Sequence, residues 1–426
     1  MKPEGNKALN FIKMLGPGLL FAGAAIGVSH LVQSTRAGAT FGFGLIWAVV
    51  LANVLKYPFF EFGPRYTGAT GESLLMGYKK LGKWVLLLFL AITLLTVFTI
   101  QAAVTSVTAA ILQNLFPIGQ SSIAWSAIVL LFCLLLLAIG KYSLLDSLMK
   151  VIIVSLAIST LIAVFAALWS HSRSPTFAIG FFDWKSALNI SFLIGLMGWM
   201  PAPIDLSVWN SLWALEKKKL NKNFQARESL LDFNVGYWGA AILALFFVAL
   251  GAFVMFGSGE SLSDKGAVFA GQLIELYTKS IGNRAFWIIV IAAFTTMFST
   301  TLTCFDAIPR VFAKTTILLK CNSPKIELEK KLYWLFIVLL MLGALSLIHF
   351  FSGQMIRLVQ LATILSFLTA PFFAVANYKL VTGKNIPIEF QPKKWLIVLS
   401  WLGISFLIGF SLFYIYSEIS KPVTAT

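Results

Sequence analysis

A polar cluster interrupts an apolar stretch near the N-terminus, where residues 24–39 read AAIGVSHLVQSTRAGA. Gly27 tolerates an unwound backbone, and Ser29 is a good N-terminal cap for a helix that starts there. His30 and Gln33 are three residues apart and therefore share one helix face. Inside a membrane such a face points into the protein, where it binds a substrate or hydrogen-bonds a neighbouring helix. Because these four residues coincide with a predicted helix break, we favour a substrate site.

A second interruption lies near the middle of the chain, where residues 195–206 read GLMGWMPAPIDL. Pro201 and Pro203 lack the backbone N–H that a continuous helix needs, so we predict a second helix break there. The break should free backbone carbonyls around Met197 and Gly198. These carbonyls add a second set of candidate ligands.

Two side chains in this second stretch have chemistry suited to a bound ion. The thioether of Met200 suits soft transition metals, although core packing is an equal alternative. Asp205 is the one carboxylate within this predicted helix. It either stabilises the positive end of a half-helix or binds a substrate or proton. His30, Met200 and Asp205 form the candidate metal set.

Further polar residues follow helical spacing elsewhere in the chain. Thr303 and Asp306 continue a polar stripe in one predicted helix, and Gln101 lies in another. We expect these three residues to line a polar pathway, or alternatively to hydrogen-bond their own helices. For Lys56 we expect a side chain that snorkels toward the membrane surface, or pairs locally with Glu61.

The composition of the chain predicts that these residues lie on membrane helices. Of the 426 residues, 58% are hydrophobic and 12% are charged, about half the charged fraction of a soluble domain. The mean hydropathy is +0.86. Apolar runs of about 20 residues, enough to cross a bilayer, recur along the chain. We predict eleven helices, at about 15–34, 41–62, 85–115, 122–140, 144–170, 186–213, 236–257, 285–312, 330–350, 356–382 and 394–416.

The two predicted breaks lie in the first and the sixth of these helices. They divide the chain into five helices over about 15–170, five more over about 186–382, and an eleventh at about 394–416. Matching broken helices in two halves are typical of inverted-repeat secondary transporters, whose site lies at the breaks. We therefore predict an all-α membrane protein with a LeuT-like bundle of 5+5 helices plus one, forming a single transporter domain over residues 1–426.

The net charge of +16 does not indicate nucleic-acid binding. Lys and Arg concentrate in alternate loops, as the positive-inside rule describes for cytoplasmic segments. This pattern predicts an inner-membrane protein with a cytoplasmic N-terminus and an external C-terminus. Cys133, Cys304 and Cys321 are scattered, which indicates neither a disulfide framework nor a thiolate metal site.

Several motifs resemble those of one transporter family. The opening GPGLLFAGAAIGVSHLVQSTRAGATFGFGLIW (16–47) is similar to the start of the NRAMP family of proton-coupled divalent metal transporters. AAILQNLFPIG (109–119), IGKYSLLDSLMK (139–150) and GLMGWMPAPI (195–204) resemble later family segments. The resemblance extends over about residues 16–382. It implies the LeuT-like fold, an inward N-terminus and a functional monomer.

The chain departs from the family pattern at the metal ligands. The family's Asp-Pro-Gly-Asn falls on residues 27–30, so that Gly27 stands at the aspartate and His30 at the asparagine. The resemblance places the family's carbonyl ligand at Met197 and its methionine ligand at Met200. The histidine of the family's Met-Pro-His becomes Ala202.

The resemblance also places the family's proton-route carboxylates at Gln101 and Val104, which are not acidic. A dication stripped of water needs compensating negative charge, which these replacements remove. Three explanations remain open. Asp205 restores an anionic ligand, a magnesium-like ion keeps part of its water shell, or the substrate is a neutral solute or an anion bound near Ser29.

We expect a secondary active transporter that moves a divalent metal cation by alternating access. A transporter of a non-metal solute or anion, or a membrane sensor that has lost transport, is the alternative. No protease or metalloprotease motif predicts an enzyme, and no cofactor is expected beyond a transported metal ion. The expected partners are the lipid bilayer and a small ion or solute.

Overall fold

A computed structural model describes residues 15–116, 119, 121–139, 142–170, 178–220, 225–259, 262–282, 286–320, 326–384 and 386–420. Within these ranges the chain is helical, and one isolated bridge joins Gly42 to Ile179. A π-helical turn, Ser29–Ser34, directly precedes α2. The α-helices, in chain order, are α1 (Pro17–Ala25), α2 (Thr35–Phe41), α3 (Ile46–Thr70), α4 (Leu74–Leu81), α5 (Lys83–Leu115), α6 (Ser122–Ile139), α7 (Tyr142–Ser170), α8 (Ala187–Gly198), α9 (Leu206–Leu220), α10 (Ala226–Val254), α11 (Gly266–Ile281), α12 (Phe286–Lys320), α13 (Ile326–Phe350), α14 (Met355–Thr382) and α15 (Lys394–Ile419).

The prediction of a polytopic helical membrane protein is confirmed. Among the described residues, 8 helices are long and apolar enough to cross a membrane, or 9 if a bent pair counts as one span. That pair joins Pro17–Ala25 to Ser29–Phe41 at an angle of 45°. We call it the first broken helix. We call α8 and α9, which are separated by residues 199–205, the second broken helix.

Two short helices, α4 and α11, were not among the predicted segments. Neither is apolar enough over a sufficient length to be a candidate membrane span. At the start of α4, Ser73 Oγ accepts a hydrogen bond from the Met76 N–H at 3.4 Å, which is an ordinary N-terminal cap. Both helices connect longer ones. Because neither contains an apolar run long enough to cross a membrane, the hydropathy pattern does not predict them.

Burial separates central helices from peripheral ones. The apolar window of α12 is 78% buried inside the protein, whereas the windows of α6 and α13 are each 22% buried. The helix α12 packs along α5 and also contacts α1, and α10 packs against α1, α2 and α3. The two broken helices therefore lie among the central helices, while α6 and α13 present apolar surface suited to lipid.

The N-terminal half of the first broken helix is fastened to α10. The backbone N–H groups of Gly16 and Gly18 donate to the two carboxylate oxygens of Asp232, at 3.0 and 2.8 Å. A Cβ added at Gly18 would lie 1.9 Å from the Asp232 carbonyl oxygen, so only glycine allows this approach. The buried Asp232 carboxylate thus satisfies N–H groups that the start of α1 leaves free.

Candidate functional site

The backbone of the first broken helix changes direction at Ile26 and Gly27. The Gly27 N–H donates to Ala25 O at 3.0 Å, and helical bonding resumes when the His30 and Leu31 N–H groups both donate to Gly27 O. The Ser29 side chain does not cap the following turn, in contrast to the sequence-based expectation. Since two of the first N–H groups already have an acceptor, this end is less suited to an anion than predicted.

Ser29 links the two breaks. Its Oγ lies 2.7 Å from Ala25 O, 2.7 Å from His30 Nδ1 and 3.2 Å from Pro201 O in the second broken helix. The hydroxyl therefore contacts carbonyls that both interruptions leave without helical partners. Ser29 therefore lies where the two breaks meet, which is where a substrate site was predicted.

His30 points away from the second break. Its Nε2 lies 2.9 Å from Ala240 O in α10, and because a carbonyl only accepts, Nε2 carries the hydrogen. Nδ1 then faces the Ser29 hydroxyl, so both ring nitrogens are engaged in a fully buried site. The ring also packs edge-on against Phe247, with a centroid separation of 6.2 Å.

The second break surrounds a lysine from α3. Lys56 Nζ donates to the carbonyl oxygens of Met197, Gly198 and Ala202, at 3.1, 2.9 and 2.9 Å. The side chain is 0% exposed. We call these three oxygens the carbonyl cage. Thus the carbonyls that the prolines were predicted to free do converge, and they converge on a cation.

The prediction that Lys56 snorkels or pairs with Glu61 was wrong. Glu61 instead pairs with Arg65 one turn along the same helix. Lys56 faces inward because α3 packs beside the second break, where freed carbonyls offer the ammonium better partners than lipid does.

Asp205 lies immediately before α9 and is 3% exposed. Neither carboxylate oxygen has a hydrogen-bond partner of ordinary geometry among the described residues. The carboxylate is near enough to Lys56 for their opposite charges to attract. It also precedes the first N–H groups of α9, where negative charge is favourable. Met200 is fully buried within the break and follows the cage residue Met197 by three positions.

A small cavity lies beside the contact between the two breaks and is bounded by α1, α5, α9 and α12. Its volume is about 20 Å³, enough for one water molecule. The lining is mostly apolar, with the hydroxyls of Ser29 and Thr300 and the thiol of Cys304 among its polar groups. The described lining residues include no carboxylate.

Thr300 is a feature of the first break that sequence reasoning missed. Its Oγ1 donates toward Gly23 O and Ile26 O, at 2.9 and 3.3 Å, and so satisfies carbonyls released by the break. A Cβ added at Gly27 would lie 2.7 Å from the same Oγ1. The position that the resemblance equates with an acidic ligand therefore has no room for a side chain. Thr300 was not part of the predicted polar stripe of α12, because its side chain lies on a different face of that helix.

The three residues of the predicted polar pathway have separate surroundings among the described residues. Gln101 Nε2 donates to Thr105 Oγ1 and Thr301 O, at 3.1 and 3.4 Å, while Asp306 pairs with Arg310 and accepts from Tyr333. Thr303 is buried, and its hydroxyl lacks a partner among the described residues. In the first broken helix, Gln33 Nε2 reaches Thr363 Oγ1 of α14 at 3.4 Å, and its Oε1 lacks a described partner.

The predicted metal set is not assembled as a cluster. His30 faces α10, whereas Asp205 lies on the side of the second break near Lys56. Within the described part of the chain, no group of three His, Cys, Asp or Glu residues could hold a metal ion. Cys133 and Cys304 are buried free thiols, and Cys321 lies outside the described residues. The carbonyl cage is therefore the clearest cation-binding feature of the site.

Comparisons with known proteins agree with this architecture. The family model "Natural resistance-associated macrophage protein-like" (Nramp) matches residues 18–417. An uncharacterized protein of Pasteurella multocida is 38% identical over 407 residues, covering 95% of this chain and 92% of the relative.

Solved structures share the fold at low sequence identity. A mutant of the Eremococcus coleocola manganese transporter is 18% identical, with a TM-score of 0.71 and coverage of 99% of this chain and 91% of that one. Mhp1, a nucleobase-cation-symport-1 family transporter with bromovinylhydantoin bound, is 14% identical, with a TM-score of 0.60 and coverage of 95% and 92%. The predicted LeuT-like fold is thereby confirmed.

Proposed function

Because this chain belongs to the NRAMP family, we propose that it is a secondary transporter that carries a divalent metal cation across the membrane by alternating access. The fold alone does not select the cargo. Its solved neighbours include a manganese transporter and a transporter with bromovinylhydantoin bound. The choice of a metal therefore depends on the chemistry of the site.

The carbonyl cage is the observation that supports a cation. Three backbone oxygens of the second break converge on one positive charge, the ammonium of Lys56. Unwound carbonyls of broken membrane helices bind coupling ions in other transporters by the same chemistry. Hard oxygen ligands suit divalent ions such as Mn²⁺ and Mg²⁺.

Asp205 supplies the negative charge that a dication requires. It is the one carboxylate of the second broken helix between Ala187 and Val208, it is buried, and neither oxygen has a described hydrogen-bond partner of ordinary geometry. Met200 is a further candidate ligand on the same segment. His30 is a positioning residue in this proposal, since its Nδ1 accepts from the Ser29 hydroxyl beside the second break and the ring does not reach the cage.

A neutral organic solute is the second candidate. The cavity between the breaks is lined mainly by apolar groups, and the described lining residues carry no charge. Such a lining favours an uncharged ligand with few polar groups.

Orientation and assembly complete the proposal. We place the chain in a bacterial inner membrane as a monomer, with its N-terminus in the cytoplasm and its C-terminus outside. The positive-inside distribution of Lys and Arg supports this orientation.

Metal uptake into proteoliposomes tests the proposed cargo. Wild-type protein should take up Mn²⁺ or Mg²⁺ saturably, and Asp205→Asn should lose most of that uptake because the dication loses its anionic partner. Asp183→Asn is the matched control, since this carboxylate lies in the segment before α8 and accepts from the backbone N–H of Lys185 at 2.8 Å. If the wild type takes up neither Mn²⁺ nor Mg²⁺, the metal proposal is refuted. If Asp205→Asn and Asp183→Asn lose uptake equally, the role of Asp205 as the anionic partner is refuted.

A further inference from the structure

The Lys56 ammonium is surrounded by carbonyl oxygens in the way that a bound cation would be. All three N–H bonds of its ammonium are directed at carbonyl oxygens of one break, and water has no access to the side chain. An ammonium has three donors and no acceptor, so the carbonyl cage satisfies it completely. The four-carbon stem connects this charge to α3, which packs beside the break.

The cage oxygens cannot hold the lysine and a metal ion together. The Met197 carbonyl is a direct partner of Lys56 and also a ligand in the proposed cargo site. Two positive charges on the same oxygens in a low-dielectric interior would repel strongly. The single negative charge of Asp205 can offset one positive charge, from the Lys56 ammonium or from the metal ion. It cannot offset the charges of the ammonium and the metal ion together.

We propose that Lys56 is a tethered competitor of the transported cation, which fills the carbonyl cage when no cargo is bound and leaves it when a metal enters. This inference rests on the proposed function, and it adds a specificity-determining residue to the site. Buried carbonyls without partners are costly inside a membrane. The Lys56 ammonium therefore keeps the cage carbonyls hydrogen-bonded while the transporter changes conformation without cargo.

Competition lowers the apparent affinity for metal. A site that is available in about one molecule in ten binds about tenfold more weakly than its intrinsic affinity. Lys56→Gln removes the charge but keeps an amide donor for the cage carbonyls. It should bind Mn²⁺ about tenfold more tightly than wild type, whereas Lys56→Arg retains the charge and should not bind more tightly.

The experiment measures Mn²⁺ binding by titration calorimetry and Mn²⁺ uptake in proteoliposomes, for wild type and both variants. Lys217→Gln is the matched control, because its ammonium reaches a backbone carbonyl, Leu15 O at 3.4 Å, outside the second break. This control should bind as wild type does. Thermal unfolding without metal reports whether each variant is folded.

A second measurement uses the unaltered protein, in case Lys56→Gln does not fold. Reductive methylation followed by mass spectrometry reports how readily the Lys56 amine reacts. Mn²⁺ should increase the labelling of Lys56 and leave that of Lys217 unchanged. Equal labelling of Lys56 with and without bound Mn²⁺ would overturn the competition.

The outcomes separate this inference from the proposed function. If wild type transports Mn²⁺ and Lys56→Gln binds it no more tightly, the competition is wrong and metal transport stands. If only Lys56→Gln binds Mn²⁺, the competition stands and metal transport by the natural chain fails. If neither protein binds Mn²⁺ or, in the same titration, Mg²⁺, both are overturned.

Discussion

Replacing Asp232 with asparagine is expected to loosen the N-terminal half of the first broken helix. The Asp232 carboxylate accepts from Gly16 N–H at 3.0 Å and from Gly18 N–H at 2.8 Å, one oxygen for each donor. An asparagine keeps a single acceptor oxygen, and its NH₂ group cannot accept. One of the two buried N–H groups is therefore left without its partner.

The magnitude follows from these two contacts. A hydrogen bond to a charged group contributes about 1.5–3 kcal/mol, so losing one and weakening the other costs about 2 kcal/mol. If this cost falls on the conformation in which α1 is docked against α10, the ratio of undocked to docked molecules rises about 30-fold. The same substitution should also lower the melting temperature, since the docked conformation is destabilised.

Cys304 provides the reporter because its thiol lines the cavity beside the first break. In a background of Cys133→Ser and Cys321→Ser, a membrane-impermeant maleimide would label only this residue. In inside-out vesicles, Asp232→Asn should increase the labelling rate of Cys304 by about the population shift. Asp183→Asn, which changes a carboxylate before α8, should leave the rate unchanged.

An unchanged labelling rate in a folded Asp232→Asn protein would refute the role of this contact in docking α1 against α10. Faster labelling only from the external face would instead contradict the proposed orientation of the N-terminus. Both results would be visible in one pair of vesicle preparations of opposite sidedness.

Two further predictions concern the glycines of the breaks. Gly198→Ala should abolish uptake and lower the melting temperature, because the added Cβ would lie 2.1 Å from Thr363 O; Gly239→Ala, with nothing within 4 Å, should do neither. Gly27→Asp alone should not strengthen Mn²⁺ binding in a calorimetric titration, because its Cβ would lie 2.7 Å from Thr300 Oγ1. Adding Thr300→Ala makes room for the carboxylate. The double variant should bind Mn²⁺ at least about tenfold more tightly than Gly27→Asp does. Equal affinities would show that space at Gly27 does not limit metal binding.

The sequence is informative about the spans because each apolar run encodes its own helix, whatever packs around it. Each of the eleven predicted segments coincides with a helix or a broken helix. The breaks were also predictable, since Gly27 and the prolines at 201 and 203 act on the local backbone. The short helices α4 and α11 carry no comparable apolar run.

The direction of individual side chains was not predictable in the same way. Lys56 reaches the carbonyl cage because α3 packs beside the second break, a relation that no local pattern encodes. His30 turns to Ala240 for a similar reason, since α10 is its neighbour on that face. Polar residues at a break thus indicate a site, whereas their partners depend on which helices assemble around it.

We propose the second break as the cation site of the transporter, and a bound ion there can be located directly. Anomalous X-ray scattering from crystals soaked in Mn²⁺, of wild type and of Lys56→Gln, would locate the ion directly. We expect a peak within coordination distance of Met197 O, weaker in wild type than in the variant. Well-ordered crystals of both proteins with no peak at the carbonyl cage, or with Mn²⁺ only at surface carboxylates, would contradict it.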